Sequence, residues 1–132
     1  MHYALAIVSA FHVLTTVFWA GSTFTLARTA GAGEKLFGAQ MVAAVLAILT
    51  GGYLFKTLHE GATGPVEHVL GIGVIGALTA FAVQVLIVGL SLRKLRVDSS
   101  DAAARLRIVI ANRIAGILLA IAALSMGGSR FA

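Results

Sequence analysis

Four runs of about twenty apolar residues, separated by short charged joints, constrain this chain more than any other feature. They are Tyr3 to Leu26, Leu36 to Phe55, Val69 to Leu92 and Ile108 to Met126, and none contains Asp, Glu or Lys. A hydrocarbon core about 30 Å thick needs roughly 20 helical residues at 1.5 Å each, so every run is long enough to cross it. Only 11% of the 132 residues are charged, less than half the roughly 25% of a soluble domain. Most of the surface must therefore face lipid. The expected fold is all-α: one integral membrane four-helix bundle, a single domain over residues 1–132 with spans 3–26, 36–55, 69–92 and 108–126.

The joints are expected to be 28–35, 56–68 and 93–107, with Pro65 in the second. Basic residues orient the spans, because Lys and Arg accumulate on the cytoplasmic side. Arg28 and Lys35 lie in the first joint, and Arg93, Lys94, Arg96, Arg105 and Arg107 lie in the third. The middle joint has only Lys56, offset by Glu60 and Glu67, and the tail has only Arg130. The first and third joints are expected inside, and both termini outside, in the periplasm. The segment Met1-His2-Tyr3 has no Lys or Arg, unlike the start of a signal peptide, so the first run is read as an uncleaved helix. The net charge of +5 is thus a matter of topology and implies no nucleic acid. Ala/Gly/Val-rich usage and short loops point to a bacterial inner membrane.

Lipid gives helices no hydrophobic reason to associate, so small residues mark where they pack. Ala39, Ala43, Ala47 and Gly51 recur every fourth residue in the second run, Gly76 and Ala80 in the third, and Gly116 and Ala120 in the fourth. Gln84, on the face of Gly76 and Ala80, and Asn112 are candidates to bridge helices. Arg113 is expected to snorkel to the headgroups.

A polar residue inside a span calls for a reason. His12 lies about nine residues into the first run, roughly 13 Å deep. Thr15 or Thr16, Trp19, and Ser22 or Thr23 follow at helical steps, making one polar stripe. His12 either hydrogen-bonds a facing Thr or carbonyl or ligates a cofactor, with Trp19 packed on that cofactor or filling the core. His2, His59 and His68 fall at one end of the bundle with Glu60 and Glu67, a set able to hold a metal. His12 lies roughly 10 Å below His68, too far for both to ligate one iron unless the third helix shifts, which would make the outer histidines second ligands to His12.

Other chemistries are excluded. With no cysteine there is no thiolate site or c-type haem attachment. All five acids, Glu34, Glu60, Glu67, Asp98 and Asp101, lie in joints, against a proton relay or ion-coupled transporter. No nucleophile has a base beside it. The run Gly71-Ile72-Gly73-Val74-Ile75-Gly76 spells a nucleotide loop, but inside an apolar helix with no preceding strand.

The stretch Phe11-His12-Val13-Leu14-Thr15-Thr16-Val17-Phe18-Trp19-Ala20-Gly21, with Arg28 at the helix end, resembles the opening helix of the HemJ-type protoporphyrinogen oxidases. It is also similar, more loosely, to the CopD-like copper-resistance membrane domains. Glu34-Lys35-Leu36-Phe37 through Thr50-Gly51-Gly52-Tyr53-Leu54 looks like the second HemJ helix. The resemblance implies a haem or porphyrin role for His12, with Trp19 and Arg28 as further cofactor-binding residues. The HemJ group also carries a functional Lys in its third helix, and Val69 to Leu92 has none. A four-helix bundle that binds haem is implied, without the oxidase activity.

The expected function is a small haem- or metal-associated membrane protein, holding haem b, copper or another metal, in electron transfer or porphyrin handling. The alternative is a non-catalytic subunit of a respiratory or photosynthetic type of complex. Partners on either reading are the lipid bilayer and other membrane subunits or further copies of the chain.

Overall fold

The computed structural model describes residues 2–28, 34–59 and 64–128, with the side chains of His2, Glu34 and His59 outside the description. Within it lie four helices long and apolar enough to span a membrane: α1 (His2–Arg28), α2 (Glu34–His59), α3 (Pro65–Val97) and α4 (Ala102–Gly128). There is no strand among the described residues. Each helix outruns its apolar stretch, because helical hydrogen bonding continues past the point where side chains turn polar. The basic residues expected in the third joint therefore sit on the ends of α3 and α4, and only Asp98 to Asp101 form the turn between them.

Pro65 is not in a loop. It occupies the first turn of α3, where a missing N–H costs nothing and φ near −65° suits the helix. Glu67 reaches back to accept from the Gly64 N–H at 2.9 Å. Asp101 caps α4 by accepting from the Ala104 N–H at 3.0 Å, as a short acceptor ahead of a helix should.

Cross-helix pairs set the arrangement. His12 meets Thr50 and Thr23 meets Gln40, so α1 and α2 are antiparallel. Gly73 lies on Ala122, Gly76 on Leu118, and Gln84 on Asn112, so α3 and α4 are antiparallel too. Gly116 under Phe24, with Arg113 at Ala27, joins the two hairpins through α1 and α4. A Cβ at Gly73 or Gly76 would stand 3.2 Å from an α4 carbonyl oxygen, which is why small residues occupy those places. On α2 the packed face is Gln40, Ala43, Ala44 and Ala47, ending at Gly51 against His12. Ala39, expected in that seam, is exposed. Leu14, Ile75 and Leu124 are among many large apolar side chains turned outward, as a lipid-facing surface requires.

The α2/α3 seam is uneven. At the basic end, where α1 finishes, Phe37 of α2 closes on Gly89, at 3.5 Å from where its Cβ would be. There it joins a core of Val88, Leu92, Leu95, Ala104, Ile108 and Ala111. Toward the opposite end α2 and α3 separate. Between the two regimes, Gln84–Val88 form a π-helical turn within α3. The buried positions Gly76, Ala80, Gln84, Val88 and Leu92 advance by fours. In a regular helix such steps overshoot a turn by about 40° each, roughly 160° in all. The wider π turn absorbs part of that drift and keeps the stripe on the bundle interior.

Candidate functional site

The opening between α2 and α3 is a cavity of about 400 Å³, within the usual range of small-molecule and cofactor pockets. All four helices contribute: His12, Thr16 and Trp19 from α1, Ala47 to Leu58 from α2, Leu70 to Leu78 from α3, and Leu119 to Met126 from α4. No charged side chain lines it. Its polar features all come from α1, which turns one face of its stripe into the space.

His12 is held in a defined state. Its Nδ1 lies 2.9 Å from Thr50 Oγ1. The Thr50 hydroxyl hydrogen is committed to the Leu46 carbonyl at 2.7 Å, the back-bond that Thr commonly makes inside a helix. Its oxygen is then an acceptor, so Nδ1 carries the proton and Nε2 keeps its lone pair. The ring is clamped from α2, because Gly51 presents no side chain: a Cβ there would sit 2.9 Å from His12 Cε1. One turn along α1, Thr16 Oγ1 is buried without a hydrogen-bond partner among the described residues. By contrast Thr15, Thr23, Thr25, Thr50 and Thr79 each bond the carbonyl four residues back.

Trp19 forms the cavity's inner boundary and is 1% exposed. It stands edge-on to Phe81, with ring centroids 6.4 Å apart. Its Nε1–H donates to Gln84 Oε1 at 2.6 Å, the first bond of a network tying all four helices. Gln84 Nε2 donates to Thr23 Oγ1 at 2.8 Å and to Asn112 Oδ1 at 3.3 Å. Gln40 Nε2 donates to the same Thr23 oxygen at 2.9 Å, while the Thr23 hydroxyl donates to the Trp19 carbonyl at 2.7 Å. Thr23 thus uses its one donor and both lone pairs. That fixes which way the two glutamine amides point. Gln84 and Asn112 do bridge helices, as their positions in the sequence imply. Gln40 Oε1 and Asn112 Nδ2 remain without partners among the described residues.

The structure brings His12 and Trp19 to one cavity and leaves Arg28 away from it. Arg28 is sixteen residues beyond His12, about 24 Å along α1, and lines a separate groove with Arg113. Arg113 is exposed, as a snorkelling residue is, and its Nε–H donates to the Ala27 carbonyl at 3.3 Å. His68 is exposed on the first turn of α3. The side chains of His2 and His59, and all of Glu60, lie outside the described residues. Among the described residues no three His, Asp or Glu side chains gather as a metal site. Thr50 and Gln40 carry no chemical mark in the sequence, Gly51 is marked only as a packing residue, and Thr16 is one of two alternatives in the polar stripe of α1. Nothing local to Thr50 or Gly51 shows that they meet His12.

Comparison with family models, curated proteins and solved structures finds no match, so function is argued from this geometry. An imidazole lone pair, an unpartnered hydroxyl and an indole edge in an apolar, uncharged cavity are equipped to bind a flat or lipid-soluble molecule. They provide no acid–base pair.

Proposed function

We propose that the chain is a haem-associated integral membrane protein in which His12, through Nε2, would hold the iron. The observation that carries this reading is the His12–Thr50–Leu46 chain of hydrogen bonds. A metal-ligating histidine donates its other ring N–H to an oxygen acceptor, which holds the tautomer and orients the ring, and Thr50 does this from the neighbouring helix. The fit is supported further by the apolar lining, with Trp19 at the inner wall and Met126 near the far end. Haem would supply one-electron chemistry there, while the chain's own residues orient the ligand and exclude water. Cu(I) is the soft-metal alternative, drawing on His12 and the Met126 thioether.

The expected orientation follows from the basic end. With Arg28, Lys35, Arg93, Lys94, Arg96, Arg105 and Arg107 toward the cytoplasm, the cavity lies in the outer half of a bacterial inner membrane and both termini are periplasmic. A second reading, a non-catalytic subunit of a larger complex, is favoured by the open α2/α3 seam, which a helix of a neighbouring subunit would fill.

The deciding measurement is an absorption spectrum of detergent-purified protein made with ample haem supply, oxidised and then dithionite-reduced. A Soret band that shifts on reduction and vanishes in His12→Ala is expected. A colourless wild type sinks the haem reading; copper analysis of that sample and identification of co-purifying subunits then separate the other two.

A further inference from the structure

We infer that the groove between α1 and α4 at the basic end is a binding site for one anionic phospholipid. Its six lining residues are graded by polarity along the bundle axis: Phe24, Gly116 and Ile117 lie inward, and Ala27, Arg28 and Arg113 lie toward the end of α1. The space is about 450 Å³ and opens sideways, onto what is lipid in a membrane. Gly116 makes the floor, with Phe24 Cε1 3.2 Å from where a Cβ would stand. The exposed side chains of Phe24 and Ile117 form apolar walls of the kind an acyl chain needs.

The head of the groove is cationic. Neither Arg28 nor Arg113 has a carboxylate partner among the described residues. Arg113 spends its Nε–H on the Ala27 carbonyl, one of the orphan acceptors at the end of α1, and this leaves both terminal nitrogens free to face outward. The α1 C-terminus contributes about half a negative charge, less than the two full guanidinium charges beside it. Depth agrees with charge. Arg105 is eight residues beyond Arg113, about 12 Å further along α4, so the α3/α4 hairpin projects past α1 into water. Arg28 stands just past the apolar run of α1, and Arg113, five residues inside that of α4, is long enough to snorkel toward the same headgroup level. Guanidinium groups at that depth suit the planar, bidentate recognition of phosphate, and the apolar walls continue inward along the path of the tail.

The test is native mass spectrometry of the full chain in a neutral detergent, titrated with dioleoyl phosphatidylglycerol or dioleoyl phosphatidylcholine. One phosphatidylglycerol is expected to be retained, with phosphatidylcholine much weaker. At about 1 kcal/mol per basic residue near the headgroups, the Arg28→Gln/Arg113→Gln pair should weaken binding about thirtyfold. Arg105→Gln/Arg107→Gln, which removes equal charge outside the groove, should change it less than about twofold. Because Arg113 also caps α1, Arg28→Glu serves as the variant that breaks no hydrogen bond, and it should weaken binding at least as much as either neutral single variant. Equal retention of the two lipids overturns the proposal, as does equal loss in the groove and hairpin pairs. Displacement of phosphatidylglycerol by millimolar inorganic phosphate overturns the lipid as occupant and points to a free anion.

Discussion

His12 answers two questions with two nitrogens. As a polar group deep in an apolar helix it needs a partner, and Nδ1 finds one in Thr50; the same bond leaves Nε2 as the lone-pair nitrogen. Reading it as a structural hydrogen-bonder or as a ligand is therefore no real choice, because one bond serves both. The sequence marks His12 and Trp19 through their depth and spacing. It cannot mark Thr50, thirty-eight positions away, since nothing local shows which helix, or which turn of it, faces His12. Thr50→Val gives the test at this scale. It removes the hydroxyl acceptor while keeping shape and leaves the Ala47 backbone as the ring's other partner, so haem affinity should fall, by up to about 10–100-fold, with the helical circular dichroism unchanged. Affinity equal to wild type would mean that another group orients the ring.

At the scale of the helices, the four spans were legible because twenty apolar residues in a row leave few alternatives. Their ends were not. Pro65 reads as a loop residue until it is seen to open α3, and the Arg- and Lys-rich joint reads as loop although it is helix down to the turn at Asp98. The π turn escapes notice in any search for apolar runs, yet Gly76, Ala80, Gln84, Val88 and Leu92 already advance by fours, and that drift needs correcting. Gln84 sits at the turn's start and donates or accepts three interhelical bonds. Hydrogen bonds between membrane helices average about 0.6 kcal/mol, and stranding the Trp19 N–H adds a desolvation cost. Gln84→Leu should therefore destabilise the bundle by about 2–3 kcal/mol in a denaturing-detergent titration. Gln40 makes one such bond and leaves its Oε1 unpartnered, so Gln40→Leu should cost less than about 1 kcal/mol. The reverse order would refute the network's centring on Gln84. At the α3/α4 turn, Ser100 donates to Asp98 Oδ1 from Oγ at 2.6 Å and from its N–H at 3.0 Å, holding the exposed carboxyl below its ordinary value. A lowered carboxyl stabilises its fold above the ordinary value and ceases to as pH falls through the lowered one. Protection of the Ser100 amide, measured relative to its intrinsic exchange rate, should accordingly fall only in that acid range, and Asp98→Asn should abolish the step.

For the molecule as a whole, charge placement and cavity placement make one connected claim. The basic end gathers Arg28, Lys35, Arg113 and the Lys and Arg residues of the α3/α4 hairpin, while the cavity lies toward the other end between α2 and α3. If Lys and Arg are retained on the cytoplasmic side, the cavity must open in the outer half of the bilayer, and any ligand would be loaded and would exchange electrons there. The chain has no cysteine, so single cysteines introduced one at a time report sidedness without background. Ser99→Cys places a thiol in the α3/α4 turn and Gly127→Cys places one at the far end of α4, about 38 Å from the start of that helix. In intact spheroplasts a membrane-impermeant maleimide should label Cys at 127 and leave Cys at 99 unlabelled until the membrane is permeabilised. The opposite pattern would invert the bundle and move the cavity to the cytoplasmic half. Labelling of both positions in sealed cells would mean two orientations coexist, and the charge bias, large as it is, would have failed to orient α1.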